Sequence, residues 1–280
     1  MTSDFRALSP TETGTVNQAP WGRYRPNALQ SALIAAGRGS FLQRGTFRHL
    51  TTNLITALGS PLDIEFRGCR YRIEGKNNLI EYGMLLRHDY NGPEIDFLLG
   101  ALGPGGVALD IGSNIGLYSL PMARAVGSEG RVVAIDANAA MVERLTFNAD
   151  ASGIGQVAAV HAAVGGSEGR VDLHIRKDDV AIVRVEQSVS GSIPMYPLAT
   201  ILRNLGIAKV DALKIDIEGY EDAALVPYLD EAEEAMRPGR IVIEHPRSGD
   251  DYSGCAAAFE RHGYRRVGQT RSNSLYQRGG

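Results

Sequence analysis

The fold is decided by the stretch Val107-Ala108-Leu109-Asp110-Ile111-Gly112-Ser113-Asn114-Ile115-Gly116. An apolar run ends in an acid and two glycines, and a helical pattern follows over residues 117–126. A buried parallel strand that ends in a glycine turn lets bare backbone approach a ligand, because glycine has no Cβ. The first N–H groups of the helix point to the same place. The stretch therefore predicts a strand, a ligand-binding turn and a helix.

A second acid, Asp136, ends the next apolar run about 20 residues beyond the turn, where a carboxylate can accept both ribose hydroxyls of a nucleoside. The glycines are spaced G-x-x-x-G, whereas a dinucleotide site favours G-x-G-x-x-G. Asp110 would repel a pyrophosphate but would attract a sulfonium and an α-amino group. The turn therefore favours S-adenosylmethionine over NAD, and the alternative is a tight turn without a ligand.

Composition places the chain among ordinary globular proteins. It has 280 residues, of which 44% are hydrophobic and 22% charged, and its net charge is −3. That net charge gives no global electrostatic reason to expect nucleic acid or an anionic membrane as a partner. Cys69 and Cys255 have no metal-binding or disulfide spacing, and the chain has neither a signal-peptide core nor a membrane-span-length apolar run. We expect a cytoplasmic protein with a small-molecule substrate.

The N-terminal part differs in pattern from the rest. Residues 1–25 are predicted to lack fixed structure, residues 26–104 to form a cap, and residues 105–280 to form the S-adenosylmethionine-binding domain. Within the cap, the patterns predict helices at 28–36, 42–58, 79–86 and 93–102 and a β-hairpin at 62–74.

Apolar strands and helices alternate after residue 107. The predicted strands are 107–111, 132–136, 157–163, 210–216 and 240–244, and the predicted helices are 117–126, 139–152, 199–205, 220–236 and 255–262. Such alternation indicates a parallel sheet covered on both faces. The last strands, 264–267 and 274–277, have a connection that permits only an antiparallel hairpin. The prediction is an α/β fold of the Rossmann-like class I type, with a seven-stranded, mostly parallel sheet.

Ligands of such sheets bind beyond the carboxyl ends of the strands. The residues that we expect to bind the cofactor are Asp110, Gly112, Ser113, Asn114, Gly116, Asp136, Ala137 and Ala162. The fourth strand contains Lys214, which is costly to bury without a partner, and it leads to Asp216 and Glu218. The alternative role of Glu218 and Glu221 is to cap the next helix and favour its positive end, and this is the favoured role of Glu221.

Methyl transfer to a hydroxyl needs a general base or a metal, because an alcohol is barely ionised at neutral pH. The candidate bases are Asp216, Glu218 and His245, although a histidine bonded at a strand end is an equally good interpretation of His245. Asp216 and Glu244 could together hold a divalent cation, but no metal site is predicted. His88 is a candidate for the lid of the pocket.

Four segments together resemble the FkbM-type methyltransferases. They are the glycine turn, Lys214-Ile215-Asp216-Ile217-Glu218-Gly219-Tyr220-Glu221, Ala163-Val164-Gly165 and Ile243-Glu244-His245. The resemblance covers about residue 79 to the C-terminus. It implies S-adenosylmethionine as the methyl donor and O-methylation of a sugar, polyketide or glycolipid.

The chain departs from the family pattern at two places. It has Ile135-Asp136-Ala137 where the family commonly has Phe-Glu-Pro, and Thr200-Ile201-Leu202 where the family often has Thr-Leu-Asp. Aspartate keeps the ribose carboxylate but shortens its reach. The alternatives to O-methylation are N- or carboxyl-methylation of a peptide or amine, and a catalytically silent nucleotide-binding module.

Overall fold

The computed structural model describes residues 17, 19–75, 78–176, 179–187, 191–246 and 251–279. The α-helices are α1 (Ala28–Gly37), α2 (Gly45–Ala57), α3 (Leu79–Leu86), α4 (Gly92–Leu99), α5 (Ser119–Val126), α6 (Ala139–Ala151), α7 (Leu198–Asn204), α8 (Glu221–Glu231) and α9 (Ser253–Arg261). The strands are β1 (Leu62–Phe66), β2 (Cys69–Ile73), β3 (Val107–Ile111), β4 (Arg131–Asp136), β5 (Val157–His161), β6 (Ala163–Val164), β7 (Gly169–Arg176), β8 (Asp179–Gln187), β9 (Ile193–Tyr196), β10 (Ala212–Ile215), β11 (Arg240–Glu244), β12 (Tyr264–Gln269) and β13 (Asn273–Arg278). Short 3-10 helices lie at Phe41–Gln43 and Glu234–Met236. None of the described helices combines the length and apolarity needed to cross a bilayer.

The main sheet runs β12-β13-β11-β10-β3-β4-β5 among the described residues. The five strands β11, β10, β3, β4 and β5 are parallel to one another. The strand β13 is antiparallel to both β11 and β12. The predicted α/β class, the parallel strands and the terminal hairpin are thus confirmed. The chain leaves β3 toward β4 and later returns to β10 on the other side of β3, so the strand order reverses between β3 and β10. Ligands of open α/β sheets bind at this kind of crevice.

Side chains of β3 alternate between two buried layers. Ala108 faces one hydrophobic core, and Leu109 and Ile111 face the other. Successive strand residues point to opposite faces, so a strand covered by helices on both sides is apolar throughout. This explains why the continuous apolar runs predicted the parallel strands.

A second sheet, with the order β6-β9-β7-β8, was not predicted. The predicted strand 157–163 divides at Ala162, and β6 leaves the main sheet to pair with β9. β6 has two residues and β9 four, which is too short for an alternating pattern to be visible.

Backbone geometry moves several predicted helix boundaries. The predicted helix 117–126 begins two residues later, at Ser119, and the turn before it contains Asn114 and Gly116 with φ of 48° and 93°. The predicted helix 42–58 is divided at Gly45, whose φ is 51°. A right-handed helix needs a negative φ at every residue, so it cannot pass through a residue with positive φ.

Part of the predicted tail is held in place. Asp63 Oδ2 accepts hydrogen bonds from the backbone N–H groups of Gly22 (2.7 Å) and Tyr24 (3.1 Å). Arg72, which forms a buried ion pair with Asp63, donates to the carbonyl of Ala19 (2.6 Å). A buried ion pair needs such extra bonds, so it orders this segment. Residues 1–16 and 18 of the predicted tail lie outside the described residues, and the proposed domain boundaries stay a prediction.

Candidate active site

A cavity of about 530 Å³ lies at the carboxyl ends of β3, β4, β10 and β11. Among the expected cofactor-binding residues, its lining contains Gly112, Ser113, Asn114, Asp136, Ala137 and Ala162. The three candidate catalytic residues, Asp216, Glu218 and His245, line it as well. The residues that were proposed to act together therefore share one cavity, and their roles stay predictions.

The Asp136 carboxylate organises the loops on the β4 side of the cavity. Its Oδ2 accepts the backbone N–H of Asn114, and its Oδ1 accepts that of Asn138, both at 2.8 Å. Burial raises the pKa of Asp136 to about 6, although these two N–H groups and the charge of Lys214 act to lower it. Each carboxylate oxygen has a second lone pair, so further donors can still bind.

Gly112 has no room for a side chain, because the backbone at the exit of β10 lies against it. Its φ is +77°, and an added Cβ would lie 1.8 Å from the carbonyl oxygen of Asp216. The collision is therefore with the exit of β10. The Gly112 carbonyl accepts a hydrogen bond from Lys214 Nζ at 3.0 Å, which joins β3 to β10 at the cavity.

We expect Gly112→Ala to destabilise the fold strongly. Left-handed backbone costs an alanine about 1–2 kcal/mol, and overpacking adds about 1–3 kcal/mol or more. Gly153→Ala is the matched control, because Gly153 has φ +68° and nothing within 4 Å of an added Cβ. The free energy of unfolding in urea measures both variants, and equal losses would contradict the close approach at Gly112.

Asp110 and Gly116 lie outside the described lining of the cavity, and their expected contact with the cofactor stays a prediction. Asp110 lies on the same face of β3 as Ala108, is fully buried and accepts a hydrogen bond from Ser119 Oγ at 2.5 Å. Burial raises its pKa even with Lys214 nearby. Gly116 packs against the core, because an added Cβ would lie 3.3 Å from Leu120 Cγ.

Lys214 is the cation at the base of the cavity. Its Nζ lies 3.5 Å from Asp216 Oδ2, 3.9 Å from Asp110 Oδ1 and 5.3 Å from the centre of the Tyr118 ring. Burial acts to lower the pKa of Lys214, but the charges of Asp216 and Asp110 outweigh it and the pKa is raised. The buried ammonium is thus charged and has partners. These partners offset the free-energy cost of burying a charged group.

Three carboxylates meet beside this lysine. Asp216, Glu218 and Glu244 each place one oxygen so that all three lie within 4.8 Å of one another. Burial, followed by the charge of Asp216, raises the pKa of Glu244 well above its usual range. The crowding of negative charge beside Lys214 thus disfavours the ionised form of Glu244. Oxygen ligands in this arrangement would also suit a hard divalent cation.

His245 is held at both ring nitrogens. Nε2 lies 3.0 Å from Gln269 Nε2, and Nδ1 lies 3.5 Å from Ser274 Oγ and 3.6 Å from Asp251 Oδ1. These contacts favour the bonded histidine at a strand end over a free base. Glu221 accepts the backbone N–H groups of Ile217 (2.8 Å) and Gly219 (2.9 Å), so it bonds the loop before α8 and does not cap the helix, although it lies in the first turn.

One family model, that of the methyltransferase FkbM domain, matches residues 110–266. The chain belongs to the FkbM methyltransferase family. The resemblance noted in the sequence is thus confirmed, and the protein is an S-adenosylmethionine-dependent methyltransferase. No curated protein sequence matches this FkbM-family chain.

Several solved structures resemble this FkbM-family methyltransferase at low identity. A putative rRNA methylase from Clostridium thermocellum is 13% identical, with 68% of this chain and 95% of that chain covered and a TM-score of 0.41. A SAM-dependent O-methyltransferase from Thermotoga maritima is 16% identical (67% and 65% covered, TM-score 0.41). Precorrin-6y C5,15-methyltransferase from Geobacter metallireducens is 15% identical (69% and 89% covered, TM-score 0.45). Similarity at such low identity does not identify the methyl acceptor of this protein.

Sequence analysis did not identify several residues that line the cavity of this protein. They are Leu79, Ile80, Tyr90, Asn91, Tyr118, Tyr252, Ser272 and Asn273. They come from loops and helix ends far apart in the chain, where no periodic pattern marks a functional side chain. Asn91 alone carried a signal, since asparagine tolerates the left-handed φ of 52° found there, and its Nδ2 donates to the Tyr118 hydroxyl at 2.8 Å. His88, the expected lid residue, is exposed and lies outside the described lining.

Proposed function

We propose that the protein methylates a hydroxyl group of a sugar, glycolipid or polyketide-like small molecule. The observation that carries this proposal is the carboxylate cluster Asp216, Glu218 and Glu244 on the wall of the cavity. A hydroxyl must lose its proton as it attacks a methyl carbon, and an ionised carboxylate beside the cavity can accept that proton. The cytoplasmic location stays a prediction.

The order of the strands divides the cavity into a donor half and an acceptor half. Asp136 ends β4 and Glu244 ends β11, which are three strand spacings apart in the sheet, or about 14 Å. We assign the β3–β4 side to S-adenosylmethionine, with Asp136 at the ribose and the turn Gly112–Asn114 at the amino-acid part. The buried Ser113 Oγ lines the cavity and has no hydrogen-bond partner among the described residues, so a ligand there would satisfy it.

When bound, S-adenosylmethionine supplies a methyl group on a positively charged sulfur. Holding the acceptor in line with that methyl supplies much of the acceleration, since effective molarities reach about 10⁵ M or more. Asp216 is assigned as the base that takes the hydroxyl proton. Lys214 holds Asp216 in position, and Glu218 orients the acceptor. His245 ranks second as a base, because both of its ring nitrogens have partners.

Cofactor affinity is expected to fall at acid pH. Ribose hydroxyls bind the ionised form of Asp136, whose pKa is about 6 without a ligand. Binding must therefore lower that pKa, and affinity is full above about pH 6 and falls roughly tenfold per pH unit below it. Calorimetric titration of S-adenosylhomocysteine at several pH values measures the effect. Asp136→Asn should flatten the profile, and an equally steep profile in that variant would contradict the assignment.

The proposed reaction is tested by incubation with S-adenosylmethionine carrying a labelled methyl group. The acceptor panel contains sugars, glycolipids, polyketides, amines and peptides, and the bond to the label is identified in the product. A methyl ether supports the proposal, whereas label confined to nitrogen or to a base-labile ester contradicts it. Chelator treatment belongs to the same assay, since activity lost with chelator and restored by magnesium would assign a metal to the carboxylate cluster.

A further inference from the structure

The region around α2 has a charge unlike that of the whole chain. Residues 19–62 contain no Asp or Glu, although the chain has 32 acidic residues and a net charge of −3. The same segment contains five arginines, namely Arg23, Arg25, Arg38, Arg44 and Arg48. The global charge therefore conceals a segment without acids, in which Arg44 is exposed at the start of α2, whereas Arg25 lines a pocket together with Asp63 and Glu65.

The helix α2 exposes its large apolar side chains and buries its threonines. Phe47, Leu50 and Leu54 are 49%, 64% and 52% exposed. Their spacing puts them on one face. The buried residues of the helix are instead Thr51, Thr52 and Ile55. A helix that served only its own core would have the opposite arrangement.

Neighbouring residues extend this apolar face. Phe41, which is 64% exposed, packs edge-on against Phe47 with ring centres 5.2 Å apart. Leu58, 38% exposed, continues the face beyond the end of the helix. We call the five residues Phe41, Phe47, Leu50, Leu54 and Leu58 the apolar ridge. A contiguous exposed apolar patch beside charged residues marks an interaction surface.

The basic residues of α2 do not serve the helix itself. Arg44 directly precedes α2 and Arg48 lies in its first turns, and the first turn contains no acid. Cations near a helix N-terminus oppose the helix dipole, which favours an anion at that position. No side-chain cap bonds the N-terminus of α2 among the described residues. The exposed Arg44 and the uncapped backbone N–H groups are therefore suited to an external anion, whereas Arg48 is half-buried and its charge acts on Tyr90.

We propose that α2 and the 3-10 helix before it dock onto the surface of an anionic phospholipid bilayer. The apolar ridge enters the acyl boundary, and Arg44 contacts lipid phosphates, as in interfacial amphipathic helices. A second copy of the chain is a poor occupant, because a two-fold contact would bring the arginines of both copies together. The surface is close to the cavity, since His49 of α2 contacts Tyr82 of α3 with ring centres 5.7 Å apart, and Leu79 and Ile80 of α3 line the cavity.

The test is flotation of the full chain with vesicles. One set contains phosphatidylcholine with about one third phosphatidylglycerol, and the other contains phosphatidylcholine alone. We expect binding to the first set that weakens with salt, and little binding to the second. The double variant Leu50→Gln/Leu54→Gln should lose at least about tenfold in partition coefficient. Val267→Gln is the matched control, because Val267 is 55% exposed on β12 and lies far from α2 in sequence.

Arg44→Gln separately tests the charge and should reduce partition onto the anionic vesicles by about fivefold. Unchanged melting temperatures establish that the variants are folded. The proposal is overturned if the wild type floats with neither set or equally with both, or if Val267→Gln loses as much as the double variant. It is also overturned if gel filtration shows a dimer that the double variant dissociates while vesicles do not bind. These readouts do not depend on the methyl acceptor.

Discussion

Asp136→Ala is expected to weaken the binding of S-adenosylmethionine and S-adenosylhomocysteine by about 10²–10⁴-fold. In the proposed complex the carboxylate accepts both ribose hydroxyls, and each bond to a charged acceptor is worth about 1.5–3 kcal/mol. The substitution also removes the acceptor of the Asn114 and Asn138 N–H groups, which hold the loops at the cavity. Calorimetry measures the affinity, and urea unfolding measures any loss of stability.

Asp211→Ala is the matched control for this variant. Asp211 Oδ2 accepts the backbone N–H of Val107 at 2.7 Å, so it too is a carboxylate bonded to backbone, but at the opposite end of β3. Its removal should cost stability without changing cofactor affinity. An affinity of Asp136→Ala within threefold of wild type, or an equal loss in Asp211→Ala, would contradict the role of Asp136.

Asp216→Asn is expected to lower turnover by about 10²-fold or more. The amide keeps the shape of the side chain but cannot take the proton of an acceptor hydroxyl. Affinity for S-adenosylhomocysteine should change far less, because Asp216 lies on the β10 side of the cavity and Asp136 lies at the end of β4. Single-turnover rates with the best acceptor of the panel measure the first effect, and calorimetry measures the second.

The control is Asp222→Asn, six residues further along the chain in the first turn of α8. Asp222 accepts the backbone N–H groups of Gly254 (3.1 Å) and Cys255 (2.6 Å) and lies outside the described lining of the cavity. It should leave turnover within a few-fold of wild type. If Asp216→Asn turns over normally with and without chelator, the base lies elsewhere, and His245→Gln becomes the next variant to measure.

The sequence predicted the sheet well because burial on both faces leaves a continuous apolar run. It predicted the neighbourhood of Asp136 and Asp216 because both follow such runs at the same edge of a parallel sheet. It could not predict which side of β3 Asp110 faces. Both faces of the strand are buried, so the apolar run does not distinguish the face of Asp110 from the face of Leu109 and Ile111. The close approach at Gly112 could not be predicted either, because the carbonyl oxygen that an added Cβ would meet belongs to a residue about 100 positions later in the chain.

The regions that escaped prediction share a physical cause. In the sheet formed by β6 to β9, the strands β6 and β9 have only two and four residues, and they pair with each other although about 30 residues separate them in the chain. The periodicity of residues 42–58 predicted a helix, but it could not tell which face the core would cover. In α2 the core covers threonines, so the exposed apolar ridge became visible only in three dimensions.

The central claim is that the cavity at the ends of β3 and β4 is built for an adenosyl methyl donor. Calorimetric titration of the wild-type protein with S-adenosylhomocysteine and with NAD tests it most directly. We predict one S-adenosylhomocysteine bound per chain, with an affinity that weakens below about pH 6, and no heat of binding for NAD. Binding of NAD, or no binding of the adenosyl ligand, would contradict the account.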